Sequence, residues 1–313
     1  MRSLRTSAFD PLRTLAERLL WTRPENPSES VYQPNFGAQQ AIGLLIRHLH
    51  LLTALHPWLN TDRMLADVRR TRNLLLANLS REDFAYLEPN LERVPLHADA
   101  IMLEPSAAIE RIYFPEGGVV SFHEISQDGS RVGVAIIGFE GFTGWPALLG
   151  IAQSPHEATV AIGGGTALSI AATDLVRACG ERQAIHALLL RYVHCFMSQM
   201  GRTIMSNLND ALDKRLARWL LMNHDRLEGD RIDLTHKQLG VMLGVRRSTV
   251  TDTVHILEGR QLIRSTRGVI EVRDRAQLLV FAGESYGAAE TEYARFIAPF
   301  AKSCGSPIAH TGP

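Results

Sequence analysis

Residues 234–272 carry the pattern that most restricts the fold of this chain. Thr235 is a favoured N-cap residue, and Gln238 three residues later completes a capping box, so a helix starts here. Gly244 can adopt the positive φ angle that a tight turn between two helices requires. A second helix starts near Arg246, and its apolar residues recur at helical spacing: Val250, Val254 and Leu257. The stretch therefore predicts two short helices joined by a tight turn.

The second helix has a polar face opposite its apolar stripe. That face holds Arg247, Ser248, Thr251, Asp252 and His255. Arginine and hydroxyl side chains on the exposed first turn of a helix suit the base edges in the major groove of DNA. An ordinary pair of packed helices would also have a solvated polar face, so the helices alone leave both interpretations open.

A β-hairpin is predicted directly after these helices. Apolar and polar residues alternate in 262–264 and again in 269–272, on either side of Thr266-Arg267-Gly268. Residues 235–275 hold eight Lys and Arg against four Asp and Glu, whereas the whole chain has 33 of each kind. Positive charge gathered on one small module is typical of phosphate binding. A winged helix-turn-helix that binds DNA is therefore favoured over a plain helix pair.

This module and the residues before it resemble the Crp/Fnr family of bacterial transcription regulators. The resemblance is carried by IYFPEGGVVSF, VGVAIIGFEGFTGWPALLG, DKRLARWLL and LTHKQLGVMLGVRRSTVTDTVHILEGRQLI, and it covers about residues 73–295. It implies an α+β chain with a cyclic-nucleotide-binding-type β-roll (a double-stranded β-helix), a dimerisation helix and a winged helix-turn-helix. The expected domains are an N-terminal extension at 1–72, the roll at 73–172, the dimerisation helix at 173–208 and the DNA-binding domain at 209–300.

The N-terminal extension lies outside the resemblance. Helical spacing of apolar residues predicts helices at 12–20 and 38–56, and the proline-rich segment between them predicts a loose linker. The second helix fits packing on the next domain better than a partner or membrane surface. Residues 1–63 could also be a translated upstream stretch, since Met64 stands just before the resemblance begins.

Composition restricts the compartment. The chain is 45% hydrophobic and 21% charged, and no apolar run reaches the length of a membrane span. Its three cysteines, Cys179, Cys195 and Cys304, have no metal-site spacing, which indicates a reducing compartment without disulfides. The basic N-terminus has no continuous apolar segment and no cleavage site of a signal peptide. We expect a cytoplasmic protein that does not contact membranes.

Residues 73–172 predict a β-rich domain of short strands separated by glycines. Asp128-Gly129 is a strong hairpin signal, followed by alternating apolar residues at Val132, Val134 and Ile136. Cyclic-nucleotide-binding relatives hold their ligand with a glycine-glutamate pair and a later arginine-serine pair. Here Gly144-Trp145 and Pro155-His156-Glu157-Ala158 stand in those places. Because both polar anchors are missing, we expect no response to cAMP.

Other chemistries find little support in the same region. A cupin-type metal site usually needs two histidines at i and i+2, and His97, His123 and His156 do not supply this pair. No cysteine precedes Cys179, which excludes the iron–sulfur branch of the family. Phosphate loops, nucleophile elbows and paired catalytic carboxylates are also absent from the sequence. The sequence therefore predicts a protein that is not an enzyme and binds neither a metal nor a cofactor. It does not indicate which residues would bind an effector.

A long helix is predicted after the roll. Its apolar band is wide, which suggests that one side of the helix packs on the roll and the other side packs on a second subunit. The residues assigned to the dimer interface are Leu188, Tyr192, Cys195, Gln199 and Thr203. The alternative is a helix buried within one subunit. A break is expected at 207–210, and the tail from Arg275 to Phe300 is expected to form one amphipathic helix on the wing or the neighbouring domain.

The resemblance also suggests roles for individual residues. Arg247, Ser248 and Thr251 are candidates for base reading, although relatives often have glutamate at the place of Ser248 and arginine at that of Asp252. The candidates for phosphate contacts are Thr235, Lys237, Arg246, Thr249 and Arg267. Arg246 stands where a serine N-cap is common.

The function implied is that of a homodimeric regulator that binds double-stranded DNA at an inverted repeat, with RNA polymerase as a further partner. The alternative is a ligand-independent or partner-controlled DNA-binding protein whose roll is only structural.

Overall fold

The computed structural model describes residues 71–300 and Lys302. The helices expected at 12–20 and 38–56, and Cys304, lie outside these residues. Within the described part, no helix combines the length and apolar character needed to cross a bilayer.

The described residues form helices and strands in two successive groups. The helices are α1 (Leu74–Ala77), α2 (Arg81–Leu87), α3 (Ala172–Glu181), α4 (Gln183–Asn209), α5 (Leu212–Arg226), α6 (His236–Leu243), α7 (Arg247–Gly259), α8 (Arg275–Ala282) and α9 (Ala288–Phe296). The strands are β1 (Glu92–Leu96), β2 (Ile101–Leu103), β3 (Arg111–Pro115), β4 (Val119–Ile125), β5 (Arg131–Ile137), β6 (Glu157–Ile162), β7 (Gly165–Ala171), β8 (Arg231–Ile232), β9 (Ile263–Thr266) and β10 (Val269–Val272). The predicted α+β class is confirmed.

Two antiparallel sheets form the β-roll. One has the strand order β1-β7-β3 and the other β2-β6-β4-β5. Their inner faces share one core, which includes Phe114, Phe122 and Ile170. The hairpin predicted from Asp128-Gly129 joins β4 to β5, and Gly129 has a φ of 78° there. The roll expected from the family resemblance is therefore present.

The four-stranded sheet is buried on both faces. Along β4, Val120 and Phe122 belong to the core of the roll, whereas Val119 belongs to a second apolar cluster. Ile136 of β5 joins this second cluster, as does Trp219 of α5. Strands covered on both faces have nearly continuous apolar sequences, which explains the segment VGVAII. The roll and the helices after α4 thus share a hydrophobic core.

Helix α5 is enclosed by protein along most of its length. Every residue from 216 to 226 is buried, including three charged side chains, Arg218, Asp225 and Arg226. Arg226 donates from Nη2 and Nε to Oε1 of Glu140 in the roll, at 2.8 and 2.9 Å. Arg218 donates to the Thr203 hydroxyl at 3.0 Å. Buried charges are tolerated only when they are paired in this way, so these contacts fix α5 against the roll and α4.

The C-terminal tail differs from its prediction. It forms two helices, α8 and α9, because Gly283 and Gly287 adopt positive φ angles of 56° and 102° between them. Helix α9 packs back on α4, and the Tyr293 hydroxyl donates to the backbone oxygen of Glu140 at 2.7 Å. The break after α4 is also later than expected, because the helix continues to Asn209 and α5 begins at Leu212.

Candidate nucleic-acid interface

Helices α6 and α7 form the predicted helix-turn-helix. The Thr235 hydroxyl accepts from the Gln238 N–H and the Gln238 side chain returns to the Thr235 N–H, which completes the capping box. Gly244 ends α6 with a φ of 65°. A Cβ atom at Gly240 would lie 2.8 Å from the Val245 carbonyl oxygen, so the turn can approach α6 only because this residue is glycine. Both helix starts and the turn were predicted correctly.

The first turn of α7 points to solvent. Arg247, Ser248 and Thr249 are exposed, whereas Val250, Val254 and Leu257 are fully buried. Arg246 occupies the N-cap position, and its side chain makes no capping hydrogen bond with the described helix. The first N–H groups of α7 therefore remain available to an anion, together with the guanidinium groups beside them.

His236 is a functional candidate that the sequence pattern does not indicate. Its Nδ1 lies 2.9 Å from the Thr251 hydroxyl and its Nε2 lies 3.4 Å from the Ser265 hydroxyl. Burial, with the nearby Arg247, lowers the pKa of His236, so the neutral ring is favoured. This imidazole joins α6, α7 and β9. No local signal could have found it, because its contacts depend on tertiary structure.

The wing is attached to α7 by a second contact. The backbone N–H of Ser265 donates to Oε1 of Glu258 at 2.7 Å. Strands β9 and β10 pair as predicted, and β8 adds a third strand that was not predicted. Arg267 is exposed at the tip, beside Gly268 with a φ of 75°. The wing is therefore held in a fixed relation to the recognition surface.

The candidate base-reading and phosphate-contacting residues lie at the start of α6, at the start of α7 and on the wing. Arg247 and Ser248 are exposed on α7, and Thr251 is half-buried with its hydroxyl donating to the Arg247 carbonyl at 3.1 Å. Lys237, Arg246 and Arg247 line the same cleft, while Arg267 stands apart on the wing. Two further candidates, Thr235 and Thr249, are exposed, with the hydroxyl of Thr235 already engaged by Gln238.

Comparison with known proteins agrees with this geometry. A family model for the Crp-like helix-turn-helix domain matches residues 214–281. A protein from Eubacterium rectale, described as a transcriptional regulator of the Crp/Fnr family, aligns with a TM-score of 0.54 at 16% identity, over 66% of this chain and 97% of its own. No curated protein matches the sequence significantly. Residues 214–281 are thus a Crp-like helix-turn-helix domain.

Two other solved structures share its fold. A CRP-family transcriptional regulator from Thermus thermophilus aligns with a TM-score of 0.53 at 20% identity, over 63% of this chain and 99% of its own. FixK2 from Bradyrhizobium japonicum aligns with a TM-score of 0.53 at 17% identity, over 62% and 98%. The described residues thus share the fold of these proteins over nearly their whole length.

The residues assigned to a dimer interface need correction. Leu188, Tyr192, Cys195, Gln199 and Thr203 are all buried within the single chain. The Gln199 side-chain oxygen accepts a hydrogen bond from the Ile136 N–H of β5 at 2.8 Å. The Thr203 hydroxyl accepts a hydrogen bond from the Arg218 guanidinium. The strongest apolar stripe of α4 therefore faces the roll and α5 of the same chain, as the alternative interpretation of this helix predicted.

The opposite side of α4 remains exposed and apolar. Exposed large side chains on this helix are Leu190, Met197, Ile204, Met205 and Leu208. Leu190, Met197 and Ile204 follow one another at intervals of seven residues, which places them on one side of the helix.

Aromatic rings fill the region between the roll and α4, where a nucleotide would be sought. Half-buried Trp145 stands 6.1 Å from the Phe196 ring, centroid to centroid, and Phe122 meets Phe196 edge-on at 4.9 Å. Tyr192 packs on Phe142 at 5.1 Å. A Cβ atom at Gly141 would lie 2.2 Å from the Tyr192 hydroxyl, which shows how tightly this region is packed.

Other contacts also fill the place where cyclic-nucleotide-binding relatives have an arginine-serine pair. Glu157 is buried and forms an ion pair with Arg131 at 3.0 Å, with His123 Nδ1 at 4.0 Å. Burial, assisted by Arg131, lowers the pKa of His123 to about 4. Within the described residues, no three His, Cys, Asp or Glu side chains are grouped to hold a metal ion. A carboxylate in this position would repel a bound phosphate.

We expect the stability of the roll to fall with acidity because of His123. Since its pKa drops from 6.5 in the unfolded chain to about 4 in the fold, the unfolded state binds more protons between these pH values. The free energy of unfolding should therefore decrease as the pH falls from 6.5 to 4. His123→Gln should flatten this decrease by about 3 kcal/mol at most. Urea unfolding at several pH values measures it.

His97→Gln is the matched control, because His97 is exposed on the same roll. It should leave the slope unchanged. An equal slope in wild type and His123→Gln would contradict the assignment.

Proposed function

We infer that this chain is a Crp/Fnr-family regulator that binds an inverted-repeat operator as a homodimer, and that cAMP does not control it. The observation that carries the proposal is the exposed first turn of α7, supported from behind by the buried stripe of the same helix. Such a turn fits the major groove, and a two-fold pair of them would read two half-sites one helical turn apart.

Base reading is assigned to Arg247, Ser248 and Thr251. Arg247 is the longest donor on the exposed turn, and a guanidinium suits bidentate contact with a guanine edge. The Thr251 hydroxyl shares its hydrogen bonds with His236, which restricts its orientation. His236 is thus a positioning residue for this surface.

Phosphate contacts are assigned to Thr235, Lys237, Arg246, Thr249 and Arg267. All five are exposed. Lys237 and Arg246 flank the turn between the two helices, and the uncapped N–H groups of α7 add partial positive charge beside them. These contacts would set the position of DNA without reading its sequence.

The dimer interface is assigned to the exposed side of α4, and its occupant is a second copy of the chain. Met197, Ile204 and Leu208 are 58%, 58% and 76% exposed, and apolar residues at this spacing form the seam of a helical pair. Two copies joined along this seam would present two recognition helices by symmetry.

Independence from cAMP rests on the packing of Trp145 and Glu157. Trp145 brings an aromatic ring where relatives have a carboxylate for the ribose, and Glu157 brings a carboxylate to the phosphate side. We place the regulator in the cytoplasm with the DNA, with RNA polymerase as its further partner. The second candidate function is DNA binding with a purely structural roll, which the same aromatic packing favours.

The first test concerns base reading. Arg247→Ala should cost about 1–3 kcal/mol in binding to the preferred sequence and flatten the preference at one base pair. The preferred sequence comes from selection out of a random duplex library, and both quantities are measured by titration of labelled duplexes.

Lys237→Ala is the comparison variant. It should weaken all duplexes alike and reduce the salt dependence of binding by about one ion. Unchanged preference in Arg247→Ala would remove this residue from the reading surface.

The second test concerns the dimer. Ile204→Glu should raise the dimer dissociation constant by about tenfold or more, because each copy would bury a carboxylate in an apolar seam. Sedimentation velocity over a concentration series measures this constant. Val280→Glu, with 75% exposure on α8, is the control and should sediment like wild type. A dimer that survives Ile204→Glu would place the interface elsewhere.

The third test concerns the effector. Addition of cAMP should leave the affinity for the selected duplex within twofold at all nucleotide concentrations up to about 1 mM, well above the micromolar range of a moderate binding site. A saturable rise in affinity would contradict the assignment of Trp145 and Glu157.

A further inference from the structure

A cleft of about 720 Å³ separates the β4–β5 hairpin from the helix-turn-helix. Beside it the two domains touch through backbone. A Cβ atom at Gly133 would lie 3.0 Å from the Met242 carbonyl oxygen, and one at Gly244 would lie 3.2 Å from the Val132 side chain. Clefts of this size commonly hold small molecules.

The cleft is strongly basic. Its fifteen lining residues include Arg131 from the roll, Arg215 from α5, and Lys237, Arg246 and Arg247 from the helix-turn-helix. The one carboxylate in the described lining, Glu124, lies 2.9 Å from His156 Nδ1. Five cations against this single carboxylate favour an anionic occupant.

Two groups of donors in the cleft lack partners within the described protein, and a third remains partly exposed. Arg215 donates from Nη2 to the Leu243 carbonyl at 2.5 Å, but its buried Nε has no hydrogen-bond partner among the described residues. The N-terminus of α7 has no side-chain cap in the described structure. Arg131 is ion-paired with Glu157 and still keeps a half-exposed guanidinium. Guanidinium and backbone N–H groups together are the donors that phosphate oxygens prefer.

The lining contributed by the described residues contains no aromatic side chain. Recognition of a base by stacking on these residues is therefore not available, and the phosphate groups must supply the binding energy. We propose that this cleft binds a small ligand with two or more phosphate groups, and that the ligand and DNA exclude each other.

The exclusion follows from shared residues and rests on the proposed DNA-binding function. Lys237, Arg246 and Arg247 line the cleft and also belong to the surface assigned to DNA. One set of cations cannot neutralise a bound polyphosphate and the DNA backbone together. By linkage, a ligand that lowers affinity for DNA is itself released by DNA to the same factor.

The experiment uses inorganic tripolyphosphate as the probe and the full chain. Ser130 is exposed on the hairpin wall of the cleft and is not among the residues assigned to DNA. Ser130→Glu adds a carboxylate at this wall, and Ser130→Gln is its neutral match in size. Calorimetry should give saturable binding at one site per chain in wild type and Ser130→Gln. Ser130→Glu should weaken it by about tenfold, because the added carboxylate would repel an anion bound in the same cleft.

DNA competition completes the test. At matched ionic strength set with sodium chloride, tripolyphosphate should reduce DNA affinity in wild type and Ser130→Gln, and reduce it less in Ser130→Glu. ATP should bind within about tenfold of tripolyphosphate, since base stacking would otherwise add more.

Equal binding in the two Ser130 variants would overturn the proposal, because the anion would then sit only on the DNA-contacting arginines. Absence of saturable binding would overturn it as well. A chain that binds DNA but no tripolyphosphate loses the cleft proposal alone. If the chain binds tripolyphosphate, Ser130→Glu weakens this binding, and no DNA binds, then the operator proposal fails instead.

Discussion

The buried ion pair between Arg226 and Glu140 holds the DNA-binding domain in place. Both side chains are nearly inaccessible to solvent, and they join the end of α5 to the roll across 86 residues of sequence. Removing one partner from such a pair usually costs about 3–5 kcal/mol, because the other charge stays buried. Around it, Val119, Ile136 and Trp219 extend a common apolar core between the two domains. The orientation of the recognition helix depends on this junction.

A series of side-chain contacts connects this junction, through α5, to the exposed surface of the helix-turn-helix. Arg215 bonds the last turn of α6, His236 joins α6 to α7 and β9, and Glu258 holds the wing. Each of these contacts links two elements rather than stabilising one. A change in the contact between the roll and α5 would therefore shift α6, α7 and the wing together.

Local patterns in the sequence predicted the helix-turn-helix well. The capping box at Thr235, the glycine turn at Gly244 and the stripe from Val250 to Leu257 are short-range features, so they can be found along the chain without tertiary information. The side of α4 that stays exposed could not be predicted in this way. Both sides of that helix are apolar, and only the position of the roll decides that Leu188 is buried and Ile204 is not. His236 was missed for a related reason, since its partners Thr251 and Ser265 are distant in sequence.

The direct contact between Gly133 and the backbone of Met242 has a consequence for chimeric proteins. In a recognition module taken from a related protein, a side chain in place of Gly244 would meet Val132 of β5, and the two would have to shift apart by a few tenths of an ångström. Exchanging only the outward residues of α7 should therefore leave the orientation of the module unchanged, whereas exchanging the whole module should alter it unless strand β5 is transferred as well.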